Sequence, residues 1–408
     1  MRLRGAGAPH LTYCTNIHPG EAWAEVRENL SRHVTAVRDR LLPDRASPFG
    51  VGLRLSARAA EDLSAPGELA ALRALCELER LYVFTINGFP YGPFHGAPVK
   101  ERVYLPDWLD EERLAYTDRL AEILAALLPD EDGLEGSVST VPGAFRPRVG
   151  SAADADAIAR RLTRHAATLV GIERRTGKRI ALALEPEPRC FLETTAEAIA
   201  FFEEHVFARA RREELAALTG LGLAAAEDAL RAHLGVCVDA CHLAVAFEDA
   251  AASLAALCAA GIRVPKIQIS AGLRVRIEGR DPALLAQLSA WAEGVYLHQV
   301  VERRGDGALV RYLDLPEAID ALARREHAGA AEWRIHFHVP IFRELEGPIG
   351  TTQPELSALL AHLRERPSAP HLEVETYTWD VLPEEHRRSG VVDAVARELA
   401  WAREQIEG

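Results

Sequence analysis

Several things are missing from this chain of 408 residues. Lys and Arg never run beyond a pair, and the net charge is −13. A basic surface that tracks phosphates is therefore absent, which argues against nucleic acid as a partner and leaves a solvated acidic exterior. The six cysteines (14, 76, 190, 237, 241 and 258) form no CxxC pair. Zinc-ribbon and dithiol chemistry lose their usual signature, and reduced thiols within apolar patterns are expected. No apolar run is long enough to span a bilayer, and the opening MRLRGAGAPHLTYC has no apolar leader core. The expectation is a soluble, cytoplasmic protein without membrane insertion. No GxGxxG turn follows the first strand, so a doubly wound dinucleotide-binding sheet has little support. No Ser/Gly-rich linker or composition break divides the chain, and residues 1–408 are expected to form one domain.

What is present is a large apolar content, 48% against 26% charged residues, enough for a sizeable core. Short apolar or alternating runs recur at 11–17, 50–56, 81–87, 136–141, 180–186, 235–240, 266–270, 334–340 and 371–377. A further run at 295–303 meets Gly305-Asp306-Gly307 and then ALVRYLDL, the pattern of a hairpin. Helical periodicity separates the runs, as at Ile158, Leu162, His165, Leu169 and Ile172. Strand–helix alternation repeated about eight times predicts a (β/α)8 barrel. The surplus of strands places an insertion near the seventh and eighth strands, within 262–350.

Residues two apart on a strand share a face. Polar pairs therefore line up: Arg54 with Ser56, Thr85 with Asn87, Glu185 with Glu187, Cys237 with Asp239. Lys266, Gln268 and Ser270 form another such row, as do His336 with His338 and Glu373 with Glu375. The opposite faces are apolar, as in Leu182/Leu184 and Ile267/Ile269. In a barrel the apolar face meets the helices, so the polar face must look along the axis. Ionisable groups there are costly to bury unless they are paired or bind a cation. Glu185, Asp239, Gln268 or His338, and Glu375 make a ligand set for a divalent ion such as Mg²⁺, Mn²⁺, Co²⁺ or Zn²⁺. The two carboxylate-rich strands are expected to lack the Lys or Arg partners that a purely structural ion-pair network needs, which favours ligand duty.

Ordinary structural roles compete for the same residues. Glu185 and Glu187 flank Pro186, a position that also suits capping of the next helix. His165 reads as a packed core residue, and His298 divides evenly between site and hairpin. His10, His33, His205, His233, His327, His362 and His386 read as surface or helix residues. His18 lies on a loop leaving the first strand toward the active-site face. The loops at 86–96 and 139–145 are rich in Gly, Pro and aromatics and are expected to wall a pocket, with Asn87, Phe89, Tyr91, Phe94 and His95 as candidates.

LTYCTNIHPGEAW, LYVFTINGFPYGPFHG, LALEPEP, HLGVCVDACHLAV, EWRIHFHVPIF and HLEVETYTWDVLP together resemble the EboE-type metabolite traffic proteins of the xylose-isomerase-like TIM-barrel superfamily. The resemblance runs from Leu11 to about Pro383. It implies a barrel encoded in an operon for making or exporting secondary metabolites, with other proteins of that operon as potential partners. The sugar epimerases of the superfamily are similar at Glu185, at Asp239-x-x-His242 and at Glu375. There the two glutamates and the aspartate hold the metal and the histidine faces substrate. A histidine is usual where this chain has Gln268, so Gln268 and His338 compete as fourth ligand. The resemblance thus implies a metal-dependent isomerase or epimerase acting on a small metabolite. Glu185, His242 and Glu375 would be catalytic, and Arg54, Asn87, Glu187, Lys266, His298 and His336 would bind substrate. A non-enzymatic escort protein and a metal-dependent phosphoesterase are the competing classes.

Overall fold

The computed structural model describes every residue except 5, 6, 43, 45, 97, 280, 325–328, 344, 346, 385 and 386. Seven parallel strands come first: β1 (His10–Tyr13), β2 (Phe49–Arg54), β3 (Leu81–Asn87), β4 (Gly136–Thr140), β5 (Ile180–Leu184), β6 (Leu234–Asp239) and β7 (Arg263–Ile269). Strands β8 (Leu273–Ile277), β9 (Val300–Arg304), β10 (Leu309–Tyr312), β11 (Ala331–Ile335) and β12 (Ile349–Thr351) follow, and then β13 (His371–Val374). The barrel order is β1-β13-β7-β6-β5-β4-β3-β2. Runs such as IALAL are buried on both faces, as parallel strands covered by helices must be.

The seam between β1 and β2 is closed by a Cys14–Gly52 bridge. Thr12 Oγ1 reinforces it, donating to the Gly50 carbonyl (2.8 Å) and accepting from the Gly52 amide (2.9 Å). Gly52 has to be glycine, because a Cβ there would lie 1.9 Å from Glu373 Oε1. Parallel register then sets the site's level. Asp239 lies opposite Gln268, Gln268 opposite Glu373, and Asn87 opposite both Arg54 and Ser139.

Between β7 and β13 the chain leaves the barrel and builds a five-stranded antiparallel sheet, ordered β10-β9-β11-β8-β12. This is the expected insertion, and its β9–β10 pair is the expected hairpin. Leu273, Val275, Val300, Trp333 and Ile335 of the sheet share one contiguous apolar core with the barrel. The run 334–340, anticipated as a barrel strand, is not one. Its first residues end β11, which pairs antiparallel with β8 and β9, while His336–Pro340 runs as irregular chain toward the barrel. There the Val339 amide donates to the Ala271 carbonyl (2.9 Å). No helix among the described residues is long and apolar enough to cross a membrane.

Candidate functional site at the barrel mouth

Asp239 is the last residue of β6, and its carboxylate is divided between two tasks. Oδ1 caps the helix Ala240–Val245 by accepting from the His242 amide (2.9 Å) and also accepts from Ser270 Oγ (2.7 Å). Oδ2 is buried and has no hydrogen-bond partner. Glu185 follows β5 and its amide donates to the Thr140 carbonyl (3.0 Å), while its buried Oε2 is unpartnered. Glu375 follows β13, and its Oε1 accepts from Asn16 Nδ2 and Asn87 Nδ2, both at 2.8 Å. Gln268 is fully buried on β7, and neither atom of its amide is bonded.

Three carboxylates thus converge in a buried site. Burial first, then Glu375 and Asp239, push the Glu185 carboxyl well above the ordinary range. Burial, with repulsion from Asp239 and Glu373, pushes Glu375 up to about 8. The buried Lys266 ammonium offsets part of this, and a further cation would let all three ionise together. The orphaned oxygens of Glu185, Asp239 and Gln268 are hard donors, so these residues fit a divalent metal.

Beside them stand three imidazoles. His242 Nδ1 donates to the Pro186 carbonyl (2.9 Å) and His338 Nδ1 to the Glu375 carbonyl (2.9 Å). His336 Nδ1 donates to Gln299 Oε1 (2.8 Å), an orientation set by Gln299 Nε2 donating to Tyr104 Oη and the Pro188 carbonyl. The Nε2 atoms of His242 and His336 face each other at 3.0 Å. His338 Nε2 is buried without a hydrogen-bond partner, 4.0 Å from Asp239 Oδ2. Burial pushes the His338 ring down to about 4, and burial with His242 and His338 pushes His336 well down, so both are neutral.

Of these groups, Glu185, Glu375, His242 and His336 reach a pocket at the barrel mouth, with Asp239, Gln268 and His338 buried beneath it. Asn87, Glu185, Glu187, His242, His336 and Glu375 line its polar end. Its walls are apolar: Phe89, Pro90, Phe94, Val99, Val103 and Leu297, with Tyr104, Tyr296 and Tyr377. Glu187 accepts from Tyr104 Oη (2.6 Å), and burial raises its carboxyl. Lys100 also lines the pocket, but its ammonium donates to Asp314 Oδ2 (2.6 Å).

Three residues expected to bind substrate lie away from the pocket wall. Arg54 is held by Glu21 and the Gly20 carbonyl. His298 is fully buried between Glu293 and the His336 carbonyl. Lys266 is fully buried in the barrel, 2.5 Å from Glu373 Oε2. That ion pair also corrects the expectation that the carboxylate strands lack basic partners, since the partner comes from the neighbouring strand. His338 and His336 do reach the site, though from the inserted sheet and not from a barrel strand.

Among the wall candidates, Asn87, Phe89 and Phe94 line the pocket, whereas Tyr91 and His95 do not. The loop 139–145 backs the wall without lining it, with Phe145 stacked on Tyr104 at 5.1 Å. His18 bonds to Tyr13 Oη (2.9 Å) and stacks on His33 outside the pocket. His10, expected at the surface or on a helix, is buried on β1. His327 and His386 lie outside the described residues. Sequence reasoning passed over Asn16, Tyr104, Tyr296, Gln299 and Tyr377. The one available signal was their place just after strands or within aromatic-rich loops.

No family model matches the chain. No curated protein matches it either. Among solved structures, a xylose isomerase-like TIM-barrel protein from Mycobacterium smegmatis in complex with magnesium superposes with a TM-score of 0.50 at 13% identity, covering 99% of both chains. A xylose isomerase domain protein from Planctomyces limnophilus gives 0.47 at 13% identity, over 91% of this chain and 92% of that one. One from Alicyclobacillus acidocaldarius gives 0.45 at 15% identity, over 98% of both. The fold is a (β/α)8 TIM barrel.

Proposed function

We propose that this protein is a metal-dependent isomerase or epimerase acting on a small oxygenated metabolite, within the processing or traffic of a secondary metabolite, as the EboE-type resemblance implies. The observation that carries the reading is the convergence of Glu185, Asp239 and Glu375 with the unbonded Gln268 amide beneath an apolar-walled pocket. The metal-bound form of the Mycobacterium smegmatis neighbour is in keeping with it. Glu185, Asp239, Gln268 and Glu375 would hold the divalent cation, which would supply electrostatic stabilisation to negative charge developing on substrate oxygen.

The chain's own groups do the rest. Asn16 and Asn87 hold Glu375 in place through its Oε1. Glu185 would meet the cation through its buried Oε2 and use its other oxygen to take a proton from substrate carbon and return it to the neighbouring carbon of the enediolate. The walls of Phe89, Phe94 and Tyr377 exclude water and suit a ligand with an apolar or flat portion beside its vicinal oxygens. A phosphoester substrate is disfavoured, because Lys100, the one cationic side chain lining the pocket among the described residues, is already paired.

The test is solvent-deuterium exchange. Metal-loaded protein should exchange the hydrogen on a bound hydroxyketone's α-carbon, and Glu185→Gln should stop exchange while leaving binding measurable. Tight binding without exchange under any metal would replace this reading with that of an escort protein.

A further inference from the structure

We propose that the substrate carries a protonated amine beside its vicinal oxygens, held in the pocket by Glu187 and His242. The inference rests on the reading of the pocket as a metal-dependent active site and names the chemical class that site takes, an amino polyol or its ketone.

One carboxylate at the barrel mouth has no positive counterpart. A divalent cation would answer Glu185, Asp239 and Glu375, and Lys266 answers Glu373. Glu187 lines the same pocket, 5% exposed, and no Lys or Arg among the described residues pairs with it. Its Oε1 accepts from Tyr104 Oη (2.6 Å) and Gln299 Nε2 (3.3 Å). Its Oε2 takes no hydrogen bond from the described residues and is left to the pocket. A buried carboxylate without a cation is costly, and removal of that cost favours a positively charged ligand group beside it. An ammonium would meet Oε2 through a charge-assisted hydrogen bond.

The neighbouring groups accept as well. His242 Nδ1 faces the Pro186 carbonyl, which cannot donate, so the ring proton is on Nδ1 and Nε2 offers a lone pair. Gln299 Nε2 is fixed by Glu187 and the Pro188 carbonyl, so Gln299 Oε1 takes the His336 Nδ1 proton. His336 Nε2 is therefore a second lone pair, 3.0 Å from that of His242. The Tyr377 hydroxyl, 3.4 Å from His336 Nε2, can donate to His336 and leaves His242 Nε2 without a donor. The other wall hydroxyls are committed, Tyr104 to Glu187 and Tyr296 to His95 Nδ1, whose Nε2 proton goes to the Asn16 carbonyl. Lys100 is turned to Asp314 and the Glu293 carbonyl. This end of the pocket thus presents acceptors at Glu187 and His242 and asks the ligand for protons. An ammonium brings three N–H donors and no lone pair, whereas a hydroxyl brings one proton and cannot serve both. The rings of Phe94, Tyr104 and Tyr377 line the same space and favour a cation near their faces.

Two probes that differ only in ammonium against hydroxyl test this, all-cis 3-aminocyclohexane-1,2-diol and all-cis cyclohexane-1,2,3-triol. Each is titrated calorimetrically at pH 7 into protein loaded with Mn²⁺. The amine should bind at least about tenfold more tightly than the triol. N-acetylation of the amine should abolish the preference, and Glu187→Gln should erase it. Equal binding, or preference for the triol, would overturn the proposal and leave the isomerase reading standing, with Glu187 protonated and donating to a hydroxyl. A preference that survives both acetylation and Glu187→Gln would overturn it as well. Preference for the amine in protein that takes up no Mn²⁺ would support this inference and remove the metal reading. Failure of both probes to bind would overturn both. Should Glu187→Gln fail to fold, the acetylated amine on wild-type protein decides alone.

Discussion

Lys266 Nζ lies 2.5 Å from Glu373 Oε2 with neither side chain reaching solvent, so the barrel axis is filled by an ion pair where aliphatic side chains are usual. The pair comes from adjacent strands and is flanked by Ser139 Oγ, 3.2 Å from the ammonium. Breaking it leaves one buried charge without its counterpart. Lys266→Met should destabilise the fold by roughly 3–5 kcal/mol in urea unfolding, and Lys266→Met with Glu373→Leu should recover most of that loss. Gly52→Ala should act on the same pair by driving a methyl group into Glu373. Equal stability of Lys266→Met and wild type would remove the ion pair from the account.

The crowded carboxylates make a prediction of opposite sign. Without metal at pH 7–8, Glu375→Gln should melt above the wild type, because the amide is spared the burial cost and the repulsion from Asp239 and Glu373 that raise the wild-type carboxyl to about 8, while its oxygen still accepts from Asn16 and Asn87. With Mn²⁺ the order should reverse, since the wild type gains binding energy that the variant lacks. Asp239→Asn should lower Mn²⁺ affinity by more than about 100-fold, beyond what is lost when only a supporting residue is removed. Calorimetric titration and thermal melts in chelator and in excess Mn²⁺ check both.

A titration behind the pocket wall gives a pH effect. Glu398 is buried and accepts from Thr376 Oγ1 and the Ile341 amide, and burial pushes its carboxyl up to about 7. A carboxyl raised on folding costs nothing below the unfolded value of about 4.5, costs more as pH climbs, and reaches its full penalty above about 7. The penalty amounts to roughly 3 kcal/mol. Glu398→Gln should therefore match wild type near pH 4.5 and exceed it at pH 8. A constant difference across that interval in urea unfolding would exclude the titration.

Ligand choice follows from the walls. A ring with two vicinal hydroxyls places both at the polar floor, while a ring hydroxylated all round strands the remainder against Phe89, Phe94 and Leu297. Metal-loaded protein should bind cis-cyclohexane-1,2-diol at least about tenfold more tightly than myo-inositol. Preference for inositol in ligand-observed NMR would mean that the walls do not select.

Much of this was legible because strands alternate. Asp239, Gln268 and Glu375 could be placed on the axis from a period of two alone, since burying their neighbours Val238, Ile267 and Val374 against helices leaves no other orientation. The eighth barrel strand was legible in HLEV for the same reason. The pattern failed at RIHFHVP, where alternation holds for an antiparallel sheet as well as for a barrel and says nothing about which sheet owns the strand. It failed again at LRVRI, whose Arg274 and Arg276 face outward on β8 as plain alternation, though no reading assigned it. Partners across strands were invisible too. Nothing within KIQIS or HLEVE states that Lys266 meets Glu373, because that depends on a register set by the rest of the barrel.

The placement of the insertion also fixes an order of events during synthesis. His10 of β1 pairs with His371 of β13, so the first strand waits exposed on one edge while the rest of the barrel and the whole inserted sheet are made. Closing so long a loop comes late and slowly. During that interval the edges of β1 and β7 both lack their β13 partner and stand open to pairing with other chains. The strand that ends the exposure leads directly to Glu375. Relief from aggregation and completion of the carboxylate set therefore coincide in one docking step, and a chain stalled before it would be both sticky and chemically inert.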